Sequence, residues 1–339
     1  MPRENALQQT KGYFKLAGIV SGVNRDDFFT EKLTQSANPK NRKSIKFAVQ
    51  TSPNNKVFVT LAAMPMDKVY FSKKAEKKGE KSTTKSVDWD KRHSFNEDGF
   101  SIIGTNVGLS KKLNEEGKEV NDIKHLVPYD AIDHIKDNLK DGMSVFIRGS
   151  MEYSNYEGRN IKQFTIGQIS LCQPIDFQAE GFKEQSNFEQ PIVFMSVEKD
   201  EQEADKYTLI GSIVTYNNII ETDFALRGER GAKMFQNFKK RLKPYTALTV
   251  SGNLVGRVEE VVAEDDDDGW GEPNPMRAMS SYAKEMLITS ADKDSIDTEL
   301  YSEKAFDEFM RDKKEFGDTA RSKATVVSDE DDDEDWDDI

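Results

Sequence analysis

The chain has 339 residues, enough for about two domains of ordinary size, each with its own core. A single cysteine, Cys172, excludes internal disulfides, and three histidines leave no Cys/His cluster spaced for zinc. The net charge of −13 is unevenly spread: residues 1–174 carry 28 basic and 21 acidic side chains, and the remainder carries 20 basic and 40 acidic ones. Such polarity predicts a basic binding surface joined to an acidic appendage. The opening Met1-Pro-Arg-Glu-Asn and the lack of a long apolar run predict no secretory signal, no membrane span and a cytoplasmic location.

In chain order, residues 12–23, 44–51, 56–63, 144–153 and 160–172 alternate as short strands. In the second, Ile45, Phe47 and Val49 share one face. Residues 128–139 carry Ile132, Ile135 and Leu139 at helical spacing, and Asp141-Gly142 ends the helix before the fourth strand. The stretch SKKAEKKGEKSTTKSVDWDKR (72–92) is lysine-rich without apolar periodicity and reads as a long flexible excursion, within an insertion over about 66–126. A linker over 178–190 leads to further strands at 207–216, 221–227, 247–258 and 283–290, with a helix at 232–242.

The halves look like diverged copies. YFKLAGIV (13–20) resembles YTLIGSIV (207–214), and LKDGMSVFIRG (139–149) resembles LKPYTALTVSG (242–252). The division is then 1–177, 178–190, 191–298, a C-terminal helix within 299–327 (its core over 302–316), and a tail over 328–339. Nine of the last twelve residues are acidic, which predicts a disordered tail.

Three strands, a helix and two strands is the order of an OB-fold, a five-stranded barrel whose face and loops bind single strands. The fold class expected is mainly β with a few helices: two OB-type five-stranded barrels, the first with a long insertion, then a C-terminal helix and the acidic tail. The segment from Leu139 to Cys172 resembles the stretch after the helix in bacterial single-stranded DNA-binding proteins. The ending Asp335-Trp336-Asp337-Asp338-Ile339 is similar to the acidic tip of those proteins and of phage replication proteins. Two barrels in one chain also resemble replication protein A and its viral relatives. The tip lacks the usual proline-aromatic ending, and the insertion has no counterpart in the bacterial proteins.

The resemblance implies sequence-independent binding and protection of single-stranded DNA in replication, recombination or repair, in a phage setting. It also implies that the tail recruits replication or recombination proteins.

Binding single strands requires cations for phosphates and rings for bases, with stacking worth about 1–3 kcal/mol per base. Tyr153 and Tyr156 flank a hairpin turn with Arg148, Arg159 and Lys162 around it. Phe58 lies on the strand face opposite Val57, Val59 and Leu61, near Arg42, Lys43 and Lys46, and Trp89 and Arg92 sit in the lysine-rich excursion. Each has a bland alternative: tyrosines capping a core, a phenylalanine packed under the insertion, a solvated charge run. No phosphate loop, dinucleotide fingerprint or nucleophile elbow occurs, so neither an enzyme nor a cofactor is expected. The rival reading is an interaction protein, either a DNA mimic built on the acidic second half or a recombination mediator.

Overall fold

The computed structural model describes residues 7–35, 38–75, 81–156, 159–201, 203–260 and 280–311, with 156, 159, 257–260 and 280–284 described by backbone alone. The chain is mainly β. Strands β1 (Gly12–Ser21), β2 (Phe29–Leu33), β3 (Asn41–Ser52) and β4 (Asn55–Ala63) come first. Helix α1 (Pro128–Asn138) and the long hairpin β12 (Ser144–Tyr156) and β13 (Arg159–Leu171) follow an insertion that holds β5 to β11. The second half runs β14 (Gln185–Lys199), β15 (Lys206–Val214), β16 (Ile219–Arg227), α2 (Gly228–Arg241), β17 (Thr246–Glu260) and β18 (Ser280–Asp297), then a helix α3 over 303–311. Among the described residues no helix is long and apolar enough to cross a membrane.

Period-two alternation builds each strand. In β1, Phe14, Leu16 and Val20 are buried while Tyr13 and Lys15 face out; β3 buries Ile45, Phe47 and Val49, and β4 buries Val57, Val59 and Leu61. Helix α1 has Pro128 at its start, where no backbone donor is needed, and buries Ala131, Ile132 and Ile135.

The pairings close on themselves twice. β1 pairs with β3, β3 with β4, β4 in parallel with β13, β13 with β12, and β12 with β1. The second half repeats the order: β14 with β15, β15 with β16, β16 in parallel with β18, β18 with β17, and β17 with β14. Each cycle has its helix between its third and fourth strands.

The connection between the cycles, 172–184, only partly overlaps the linker expected over 178–190. β14 starts at Gln185, inside the stretch expected to be one, and Tyr13–Ala17 pair antiparallel with Gln185–Glu189, so both cycles belong to one thirteen-stranded sheet. The repeat is centred on the Phe14–Phe188 pair. Phe14 lies opposite Gly149 and Phe188 opposite Gly252, and a β-bulge adjoins each glycine. The matched glycines were therefore correctly aligned in sequence. The alignment of 13–20 with 207–214 was not: β14 is the counterpart of β1, and 207–214 is the second strand of its cycle.

The lysine-rich stretch, apart from 76–80, which lie outside the described residues, is built into strands rather than the flexible excursion expected. β5 (Lys68–Lys73), β6 (Thr83–Asp88) and β7 (Phe100–Ile102) form a small sheet around Val69, Phe71 and Val127, packed by Val87, Trp89, Phe95, Phe100, Ile102 and Tyr129. Beyond it, β8 (Thr105–Gly108) runs parallel to β13 and pairs with β11 (Lys124–Leu126), while β9 (Lys111–Leu113) and β10 (Glu119–Asn121) form a separate hairpin. The whole insertion lies between β4 and α1; in the second cycle α2 follows β16 directly.

Two further contacts bind the cycles. Asn55, in the β3–β4 turn, donates to Leu254 O (2.9 Å) and accepts from Gly256 N (2.7 Å). At the opposite end, helix α3 packs Phe306 on Tyr245 and Tyr301, and the Tyr301 hydroxyl donates to Gln8 O (2.8 Å). The tail residues 328–339 lie outside the described residues.

A Cβ added at Gly149 would lie 1.8 Å from Thr165 O, a backbone atom of the partner strand. Gly149→Ala is expected to cost about 2 kcal/mol or more in urea unfolding, by forcing β12 and β13 apart at the bulge.

Candidate nucleic-acid interface

Pairing places several basic and aromatic side chains on one outward sheet surface. Lys46, Ala48 and Gln50 of β3 stand opposite Thr60, Phe58 and Lys56 of β4, on the face away from the core. Phe58 is half-buried there, and Lys46 Nζ lies 5.6 Å from its ring centroid and 3.9 Å from an Asp27 carboxylate oxygen. Arg42 is exposed on the same face, opposite Lys32 of β2. The surface continues across β1, where Ile19 pairs with Gln50. Farther along β1, Lys15 stands between Arg148 of β12 and Asn187 of β14, and Tyr13 is 55% exposed beside it. Lys15, Lys56 and Tyr13 were missed by sequence reasoning, although β1 alternation carries the signal for two of them.

Other expected binding residues serve the fold. Lys43 points toward α1, where Nζ bonds both Asp133 oxygens at 2.9 and 2.7 Å and lies 4.4 Å over the Tyr129 ring. Burial works against its charge, but the Asp133 carboxylate outweighs this and holds its pKa above the usual lysine value. Arg92 forks onto Asp130 at 2.9 and 3.0 Å and stacks 4.0 Å over Trp89, whose ring meets Tyr129 edge-on. The hydrogen bonds to Asp130 raise the guanidinium pKa despite burial. Lys43, Trp89 and Arg92 thus fasten the insertion and α1 to the first cycle, a role that lysine-rich composition does not announce.

The long hairpin also departs from the expected groove lip. The Tyr153 hydroxyl lies inside the seam between cycles, donating to Gln190 Oε1 (3.3 Å) and approaching Met286 Sδ (3.7 Å); burial pushes its pKa up. Its ring is not free to stack on a base. Lys162 faces Tyr153 across the hairpin and is half-buried. Tyr156 and Arg159 pair at the end of the hairpin, and their side chains lie outside the described residues. The neighbouring Asn160 donates to Glu221 O of β16 (3.0 Å), so the hairpin reaches the second cycle. Asp335, Trp336, Asp337, Asp338 and Ile339 lie outside the described residues.

The corresponding face of the second cycle is acidic. Glu221 and Asp223 are exposed on β16 on the outward side. Its cations are held in an ion network: Arg227 bonds Glu285 (2.7 Å) and Glu203, and Lys206 lies 2.9 Å from Glu203 and 3.5 Å from both Asp200 and Glu285. Hydrogen bonds from Arg227 and Lys206 hold Glu203 below the usual carboxylate range. Burial alone would raise Glu285, but Arg227 overcomes it and its pKa is lowered too.

A lowered carboxylate pKa stabilises the fold above the unfolded value and loses that contribution as pH falls through the folded one. Glu285→Gln is therefore expected to cost about 1 kcal/mol at pH 7, with the difference from the unsubstituted chain fading as pH drops below about 4, read by urea unfolding at both pH values.

The wild-type single-stranded DNA binding protein from Thermus aquaticus is similar at 9% identity with a TM-score of 0.36, over 84% of this chain and 93% of that one. A deletion variant of the same protein gives the same identity and score over 84% and 94%. A search of curated proteins found no match. The YorF family model matches residues 72–323, from the insertion through the second cycle to beyond α3, and the chain belongs to the YorF family.

Proposed function

We propose that the protein binds single-stranded DNA without sequence preference, as a binding protein rather than an enzyme, and that each strand cycle is an OB-type barrel. In such barrels the second and third strands carry the oligonucleotide. Here those strands are β3 and β4 in the first cycle and β15 and β16 in the second. The observation that carries the reading is the contrast between these equivalent faces. β3–β4 presents Lys46 and Lys56 on the face that carries the Phe58 ring, with Arg42 farther along it and Lys46 also 3.9 Å from Asp27, whereas β15–β16 presents Glu221 and Asp223 and sets Lys206 and Arg227 among three carboxylates. Cations bind phosphates by releasing counterions, and an outward ring stacks a base of either class. The strand then lies across β3–β4 and extends over β1 toward Lys15 and Arg148.

The full chain is expected to bind a labelled oligonucleotide far more tightly as a single strand than as a duplex, with affinity falling steeply as salt rises. Phe58→Ala should weaken binding about fivefold or more. Lys46→Ala and Lys56→Ala should each lower the salt slope by about one, while Glu221→Gln leaves affinity unchanged. Equal affinity for duplex would refute the reading.

The acidic tail fits the same function as a competitor and a recruiter in replication, recombination or repair. Nine carboxylates on one segment imitate a short polyanion and compete for the basic face at low salt. Removing 328–339 is expected to tighten DNA binding at low salt but not at high salt. Trp336→Ala with Ile339→Ala should keep that competition and lose capture of a replication or recombination protein, as read by pull-down.

A further inference from the structure

The insertion has no counterpart in the second cycle, and its fastening to α1 leaves a cleft of about 360 Å³ between the small sheet and β11. That volume is at the small end of the range for ligand sites, about 300–1,000 Å³. One wall is aromatic: Phe95 lies 4.4 Å from the Phe71 centroid and 6.3 Å from that of Phe100. The floor is the Arg92–Asp130 pair, and the exposed residues His93 and His125 complete the lining, two of the three histidines in the chain.

We propose that this cleft takes one unstacked nucleobase, a subsite that rests on the single-strand reading above and adds a place where a base leaves the sheet surface. The rings offer flat apolar contact, and the polar groups suit a heterocycle edge rather than an aliphatic side chain. His125 Nδ1 lies 2.6 Å from Asn106 Oδ1; when it donates there, the neutral ring keeps Nε2 as an acceptor. Opposite, His93 Nε2 sits 3.4 Å from Asp130 Oδ2. Lys85 Nζ stands 4.8 Å from the Phe100 centroid, held by Glu97, so one cation lies beside the aromatic wall where a phosphate attached to the base would pass. Cation, ring and edge donors or acceptors together are what a nucleotide requires and a solubilising loop does not.

The test uses the full chain with two probes: thymidine monophosphate alone, and oligothymidylates carrying a single 2-aminopurine at successive positions. In the unsubstituted protein one position of the oligonucleotide should change fluorescence on binding, and the mononucleotide should bind weakly. Phe100→Ala, and separately His93→Ala with His125→Ala, should abolish both signals and weaken the oligonucleotide about fivefold. The histidine pair is exposed, so that variant keeps the small core and its unfolding curve verifies the fold. If both variants fold and keep both signals, the subsite is refuted while DNA binding stands. Mononucleotide binding lost in the variants, with no oligonucleotide binding by the parent, would retain the cleft as a nucleotide site and overturn the single-strand reading. No binding of either probe overturns both.

Discussion

The antiparallel pairing of Tyr13–Ala17 with Gln185–Glu189 is the constraint on which the rest depends. Without it each cycle would expose the free edge of its first strand, a row of unpaired donors and acceptors with Phe14 or Phe188 beside it. With it, each first strand pairs with its counterpart through its N-terminal part and with its own second strand through its C-terminal part. The apolar residues of both cycles then pack as one continuous cluster. The bulged glycines follow from the same geometry: Gly149 and Gly252 sit opposite the paired phenylalanines, where the neighbouring backbone leaves no room for a side chain.

A shared frame allowed the equivalent surfaces to diverge. In the first cycle, cations and a ring lie outward on β3–β4; in the second, carboxylates take those places and the basic side chains Lys206 and Arg227 pair with carboxylates where β15 starts and β16 ends. The insertion shows the same economy of charge. Arg92 and Lys43 look like ligands in sequence, but each lies against a carboxylate of α1 and an aromatic ring, where a charge-assisted hydrogen bond outweighs desolvation.

Strand existence was legible because most strands alternate cleanly, and Phe58 faces outward as the alternation of Val57, Val59 and Leu61 predicts. The matched Gly149 and Gly252 also mark the fourth strand of both cycles in the sequence. Three things were not legible. The start of β14, Gln185-Ser-Asn, is polar because Ser186 bonds Leu254 O and Asn187 faces outward, so a seam strand reads as a linker. The small sheet of the insertion has few inward positions, and β6 is polar at nearly every residue. Tyr153 looked like a stacking ring because nothing local reveals that Gln190 and Met286, from another cycle, cover it.

The turn between β3 and β4 carries a consequence for how the molecule is assembled. Asn55 uses its amide as a substitute for a backbone neighbour, and its partners, Leu254 and Gly256, come some two hundred positions later in the chain. During synthesis the first cycle therefore emerges with the β1 edge unpaired until β14 follows it, and the contacts of Asn55 to Leu254 and Gly256 wait until β17 leaves the ribosome. Contacts of such separation form late and slowly. The nascent N-terminal half is then the aggregation-exposed species of this protein, and the acidic second half completes it structurally as well as contrasting with it in charge.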